Sequence, residues 1–206
     1  MLVTKSTSRL ATEGKSVDTQ RTNVFVTFIS TVRRDLHANR GNPKGILLTV
    51  LYRLAHACVE LPIYVRPIGW IYIALYKVVT EYILGVEIHW RATIGPGLTV
   101  FHGYGLVINS AAQIGKGCVL RHGVTIGVKK THGNVGAPTI GDNVDIGASA
   151  IIIGPISVGD ECVIGAGAVV VKDLYSGSVV VGNPARVVRN KKSRKRSVSN
   201  VSFRNP

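Results

Sequence analysis

From Ile88 to Val170 an aliphatic residue returns every sixth position, in three phased runs: Ile88, Ile94 and Val100; Ile108, Ile114, Leu120 and Ile126; Ile140, Ile146, Ile152, Val158, Ile164 and Val170. Gly follows many of these anchors, as at Gly95, Gly115, Gly141 and Gly159, and a small or β-branched residue often stands four places after one, as at Ala92, Ala112, Cys118 and Ala150. A period of six suits neither an amphipathic helix nor a single alternating strand. It suits a triangular parallel β-helix, where each hexad makes one flat side and a corner and three hexads close a coil. Anchors on successive coils then stack about 4.8 Å apart. An ordinary β-sandwich also mixes Gly with Val and Ile, but it has no reason to hold thirteen anchors in phase.

The count breaks twice. Between Val100 and Ile108 the step is eight, so two extra residues bulge out near Phe101-His102-Gly103-Tyr104-Gly105. Between Ile126 and Ile140 it is fourteen, and the excess, residues 128–138, is polar, basic and Gly-rich, which predicts an extruded loop. Loops thrown out of a rigid scaffold are where binding and chemistry concentrate.

Upstream, the period turns helical from Val24 to about Leu84, broken at Gly41-Asn42-Pro43 and at Pro62 and Pro67. Three helices are expected, over about residues 24–39, 44–60 and 68–84. The resulting division is a disordered terminus over 1–23, a helical segment over 24–85, the β-helix over 86–188 and a basic disordered tail over 189–206. The second and third helices are very apolar, yet Arg53, Glu60, Arg66, Lys77 and Glu81 interrupt them, and their longest clean run is about ten residues where a spanning helix needs about twenty. Packing against the β-helix or between subunits is expected. The alternative has them lying on the inner membrane surface through Trp70, Tyr72, Tyr76 and flanking cations.

Composition changes the picture little. The length of 206 residues fits one main domain with an accessory segment. Net charge is +14, and residues 186–206 hold eight Lys or Arg and no acid, which reads either as a solvated end or as attraction to an anionic lipid or polymer. No nucleic-acid motif accompanies that charge, so no nucleic acid is expected as partner. Cys58, Cys118 and Cys162 lie far apart without metal spacing, and two occupy small slots of hexads; they read as reduced packing residues. The first twenty residues lack an apolar core segment, and a cytoplasmic protein is expected.

The register itself brings one pair together. His102 stands two residues past Val100 and His122 two past Leu120, with three hexads and the bulge between those anchors, so they occupy equivalent positions on successive coils. Neighbouring imidazoles resist double protonation, which favours a neutral ring able to act as general base. A two-His metal site lacks a clear third ligand, and no metal is expected. Glu87, which opens the first coil with His89, is the candidate to orient an imidazole. No Walker lysine and no nucleophile elbow is present, which disfavours phosphoryl transfer and a covalent serine mechanism.

The hexads, the loop, the approach Leu51-Tyr52-Arg53-Leu54-Ala55-His56 and the ending Gly182-Asn183-Pro184-Ala185-Arg186 together resemble the hexapeptide-repeat acyltransferases, in their serine acetyltransferase branch. The strings Phe101-His102-Gly103-Tyr104-Gly105-Leu106-Val107-Ile108-Asn109 and Arg121-His122-Gly123-Val124-Thr125-Ile126-Gly127 are similar to the colanic-acid and capsule-type O-acetyltransferases of that branch. The resemblance implies a left-handed β-helix and transfer of acetyl from acetyl-CoA to a hydroxyl by direct attack. It places the catalytic base at His102, the acid that orients it at Glu87, and coenzyme A against Gly147, Ala148, Gly165 and Ala166 with Lys172 and Arg186 as phosphate partners; His122, the equivalent residue one coil on, is expected to bind the acceptor or assist. A repeat of little more than four coils also leaves ends and flat faces that cyclic assembly would bury, so a homotrimer is expected, with a dimer of trimers paired through the helices as its extension. Tyr104 and the loop residues Lys129, Lys130 and His132 are the candidate acceptor contacts. Two departures bear on the acceptor. Where serine acetyltransferases carry an Arg-His pair before the Pro closing the loop, this chain has Gly136 and Ala137, and where they carry Asp beside the catalytic His it has Phe101. A sugar hydroxyl is therefore the expected acceptor, with serine acetylation as the first alternative and a non-catalytic assembly or membrane-docking protein as the second.

Overall fold

The computed structural model describes residues 26–131 and 134–190. The expected disordered terminus over 1–23, His132 and the tail beyond 190 lie outside them.

Helix α1 covers residues 26–38, α2 covers Pro43–Ala57 and α3 covers Arg66–Lys77. Pro43 and Pro67 do not merely interrupt the helical pattern: each sits in the first turn of the helix that follows, where a missing N–H costs nothing. The side chain of Asn42 caps α2 by accepting from Gly45 N at 3.1 Å. A short 3-10 turn, Cys58–Glu60, ends the second helical stretch, and a π-helical turn, Val78–Ile83, ends the third.

The strands then wind as a parallel β-helix with three faces. Face A stacks β1 (Glu87–Ile88), β4 (Val107–Ile108), β7 (Thr125–Gly127), β12 (Ile151–Ile153) and β15 (Val169–Val170). Face B stacks β2 (Thr93–Ile94), β5 (Gln113–Ile114), β10 (Thr139–Ile140) and β13 (Ser157–Val158). Face C stacks β3 (Thr99–Phe101), β6 (Val119–Arg121), β11 (Asp145–Ile146), β14 (Val163–Ile164) and β16 (Ser178–Val181). The anchors pair in the register that the hexads predict: Ile88 with Ile108, Ile126, Ile152 and Val170 on one face, Ile94 with Ile114, Ile140 and Val158 on the next. Every anchor is at most 6% exposed, so they form one continuous core.

Both breaks in the count are real irregularities. The eight-residue step is the corner between β3 and β4, and the fourteen-residue step is a hairpin of β8 (Lys129–Thr131) and β9 (Asn134–Gly136). At the far end β17 (Arg186–Asn190) folds back antiparallel on β16. The expected start of the tail at 189 therefore falls inside a strand.

The near end shows why the helices precede the solenoid. Carbonyls of the first coil have no coil below them, and side chains from the helical segment satisfy them instead. Tyr52 donates to Ala92 O, Tyr76 to Ile88 O, Arg53 to Ile94 O and Gly95 O, Asn39 to Leu98 O and Asn42 to Val100 O. Asp35, 1% exposed, pairs with Arg53 at 2.7 Å and accepts from Gly97 N and Leu98 N. An open sheet edge is thereby closed by polar side chains rather than by another strand.

Of the three aromatics considered for a membrane surface, Tyr76 is buried and Tyr72 is half-buried with its hydroxyl donating to Leu51 O at 3.3 Å; only Trp70 faces outward. No described helix is long and apolar enough to cross a membrane.

Candidate active site

The corner between faces C and A collects most of the predicted site. β3 and β6 pair in register through Phe101 and Arg121, so the next residue of each, His102 and His122, must leave the sheet side by side. Their ring centroids lie 6.0 Å apart, inclined at 68°, and both side chains are exposed. His102 has φ 66° and Gly103 has φ 71°. A left-handed backbone is uncommon for a residue with a β-carbon and is held here by the surrounding structure, a feature that concentrates at functional sites.

The two-residue bulge gives this corner two candidate groups where later coils have one. Along the backbone ladder Gly123 N donates to Tyr104 O, Ser149 N to His122 O and Gly167 N to Ala148 O. Tyr104 therefore takes the place in the first coil that His122 takes in the second and Ala148 in the third, while His102 is the inserted neighbour whose ring meets that of His122 edge to face. Tyr104 is 64% exposed, and its ring lies 2.9 Å from Lys44 Nζ, which is buried with no hydrogen-bond partner. Sequence reasoning missed Lys44. Its signal was faint: a cation in the first turn of an apolar helix whose docking site the sequence does not reveal.

Further up the edge the side chains become small. Gly147 and Gly165 sit at the corner, followed by Ala148 and Ala166. A β-carbon on Gly147 would stand 2.4 Å from Ala166 N, so this glycine is required by the stacking of coils and not by a ligand. The outer surface of the edge is open: Ala166 is exposed, and nothing lies within 4 Å of where Gly167 would carry a β-carbon. Arg186 lies at the top of the edge, paired through β17 with Val181, and is exposed.

Other predicted residues stand elsewhere. Glu87 is exposed at the start of face A, paired with Val107, and makes no hydrogen bond with His102 among the described residues. His89 is half-buried, stacks on Trp90 at 3.9 Å and accepts from Arg91 N through Nδ1 at 3.1 Å. Burial, helped by Arg91 and Lys77, holds its pKa below the ordinary imidazole value, which fits a neutral structural ring. The hairpin with Lys129 and Lys130, and Lys172 two residues past Val170, leave from the corner between faces A and B. Within one chain that corner is a different edge of the prism from the His pair. The third corner, between B and C, carries a ladder in which Asp142 Oδ1 accepts from Lys116 N and Asp160 Oδ1 from Asp142 N, carboxylates used as corner braces. Among the described residues no cluster of three or more His, Cys, Asp or Glu could hold a metal ion.

The corner thus carries two neighbouring imidazoles below a row of small residues on a three-faced parallel prism. Residues 139–172 match the family model described as the hexapeptide repeat of succinyl-transferase. The colanic acid biosynthesis acetyltransferase WcaB of Escherichia coli (strain K12), so named, is 38% identical over 160 residues, covering 74% of this chain and 96% of that protein. A serine acetyltransferase of Helicobacter pylori (strain ATCC 700392 / 26695) is 41% identical over 144 residues, covering 70% of this chain and 81% of its own. The serine acetyltransferase of Brucella abortus strain S19, solved in complex with coenzyme A, superposes with a TM-score of 0.70 at 28% identity, covering 82% of this chain and 70% of that one. The chain belongs to the hexapeptide-repeat acyltransferases, in the serine acetyltransferase family, and its solenoid is the left-handed β-helix of that family. Acetyltransferases of this family draw their acetyl group from acetyl-CoA.

Proposed function

We propose that this enzyme transfers acetyl from acetyl-CoA to a sugar hydroxyl in the assembly of an extracellular polysaccharide, with His102 as general base. The observation that carries the chemistry is the His102–His122 pair on a left-handed bulge beside an edge of small residues. The thioester is supplied by acetyl-CoA. His102 takes the proton of the acceptor hydroxyl as it attacks the carbonyl and returns it to the departing sulfur. Such a base contributes about 10²- to 10⁴-fold in rate. His122 steadies the neighbouring ring or the acceptor, backbone amides of the groove stabilise the oxyanion, and Glu87 supports the imidazolium through space. Lys172 and Arg186 meet the phosphates of coenzyme A.

The choice of a sugar over serine rests on the loop. Serine, an ammonium carboxylate, needs charged partners, and this chain has Gly136 and Ala137 where serine acetyltransferases carry Arg-His. A β-carbon on Gly136 would stand 2.3 Å from Pro155 Cβ, so a side chain there would require Pro155 or the hairpin to shift. The similarity to WcaB agrees with this reading. Serine O-acetylation is the second reading, favoured by the comparable similarity to serine acetyltransferases.

The His pair and the hairpin lie on different edges, so their convergence requires two subunits. A cyclic homotrimer brings one prism edge of each subunit against another edge of the next, and the hairpin that carries Lys129 then comes to the acceptor bound at the neighbour's His102. A cytoplasmic location suits the acetyl-CoA donor. The test is thiol release from acetyl-CoA with L-serine and a panel of sugars in parallel, for wild type and His102→Ala. Sugar-dependent release lost in the variant supports the proposal. Serine turnover at the rate of a dedicated enzyme overturns the acceptor, and an undiminished rate in His102→Ala overturns the base.

A further inference from the structure

We propose that the outer face of α3 and of the π-helical turn that follows docks this protein on an anionic lipid surface, lying in its plane. The inner face of this element is accounted for: Gly69, Ile73, Tyr76 and Thr80 recur at helical spacing and are buried against the rest of the chain. The outer face repeats the same spacing one side over, at Tyr64, Ile68, Ile71, Leu75, Val78 and Tyr82, and each of these is at least 50% exposed. A helix apolar on both faces needs an apolar neighbour on both. Single exposed apolar residues are ordinary, but a contiguous row along a whole helix marks an interaction surface.

Charge selects the occupant. From Leu61 to Val86 the only carboxylate is Glu81, and it is already paired with Lys77 at 3.9 Å. Arg66 stands exposed near the start of the same helix, and the whole chain carries +14. Pairing this face with its counterpart on a second copy sets cation against cation with no free acid to answer. An anionic bilayer complements it. Tyr64, Trp70 and Tyr82 are the aromatic types that settle at the boundary of headgroups and acyl chains, where the ring is buried and its polar end stays wet. No described helix is long and apolar enough to span, so the contact is peripheral, of the kind in which an apolar helix face enters the interface by about 5–10 Å. The reading is independent of which acceptor the enzyme uses.

The experiment is flotation of the full-length protein with vesicles of phosphatidylcholine alone and of phosphatidylcholine containing phosphatidylglycerol, with wild type and Ile71→Glu/Leu75→Glu. Both replaced residues are exposed, so the variant keeps the fold, checked by circular dichroism. Wild type is expected to float with the phosphatidylglycerol vesicles, less so as salt is raised, and the variant to bind at least ten-fold more weakly with its particle mass by light scattering unchanged. No binding by wild type overturns the proposal. Equal binding to both vesicle types overturns the anionic requirement. Binding undiminished in the variant assigns the contact to the basic end of the chain instead, and a variant of smaller particle mass assigns the face to pairing between copies; either result also overturns it.

Discussion

Arg53→Met tests how the solenoid is closed at its base. Arg53 is 6% exposed and Asp35 1%, and they pair at 2.7 Å. Removing one member of such a pair leaves an uncompensated buried charge, a loss of about 3–5 kcal/mol. The same substitution takes the donors from Ile94 O and Gly95 O, held at 2.6 and 2.7 Å, each loss worth about 1–3 kcal/mol where water cannot follow. Because these terms overlap, a total of about 4 kcal/mol is expected, or about 8–16 °C in Tm for a chain of this size. The double variant Asp35→Ala/Arg53→Met separates two accounts of the pair. If the two charges only balanced each other, deleting both would restore much of the stability. Here Asp35 also accepts from Gly97 N and Leu98 N, so the double variant orphans four backbone groups of the first coil. It is expected to stay within about 1 kcal/mol of the single variant. Urea unfolding followed by circular dichroism, at one fixed protein concentration, makes the measurement. A double variant close to wild type refutes the view that the pair caps the solenoid.

Gly147→Ala is expected to lower Tm by several degrees, since its β-carbon would stand 2.4 Å from Ala166 N, whereas Ala148→Ser next to it leaves Tm unchanged; scanning calorimetry distinguishes them. Burial, outweighing the nearby Arg53 guanidinium, pushes Tyr52 up to about 12, so its contribution to stability is present in full below about pH 10 and is lost as pH rises toward 12, a fall of about 3 kcal/mol in all. Urea unfolding at pH 9 to 11 should show about half of that fall in wild type and a shallower one in Tyr52→Phe; equal slopes contradict the assignment. Deleting eight residues from the extruded hairpin returns the fourteen-residue step between Ile126 and Ile140 to six, and the variant is expected to keep wild-type circular dichroism while losing at least ten-fold in kcat/KM for the acceptor, read by thiol release.

The solenoid was legible because a period of six is a distance in space as well as in sequence. Once Val100 and Leu120 are anchors, the pairing of Phe101 with Arg121 follows, and with it the approach of His102 to His122. Nothing of that kind constrains the helices. Their pattern gives length and an apolar face, but Tyr76 turns inward because the first coil offers Ile88 O and a hydrophobic end on that side, and Tyr72 because α2 offers Leu51 O. Neither partner is visible from the helical sequence alone. Arg53 in the sequence is a charge that argues against a membrane span; in the structure it is the clamp of the first coil. The smallness of Gly147 likewise reads equally well as room for a ligand and as room for the next coil, and only the distance to Ala166 decides between them. Lys129 and Lys172 could be assigned to the corner between faces A and B from the hexad count, but no contact within the described residues says what they meet there.

The junction of the two modules explains why the bulge can be held in a left-handed conformation. Asn42 binds Val100 O, two residues before His102, and Lys44 lies beneath Tyr104, two residues after it. Between them a β-carbon on Gly103 would stand 2.7 Å from Leu48 Cδ1, so α2 packs directly on the inserted residues. A two-residue insertion in a free solenoid corner would relax by sliding outward. Here the first two turns of α2 grip it from below at three points, and the cost of the positive φ at His102 is offset by contacts that only the helical segment provides. The helices are thus as much a part of the candidate active site as the repeat that carries its histidines.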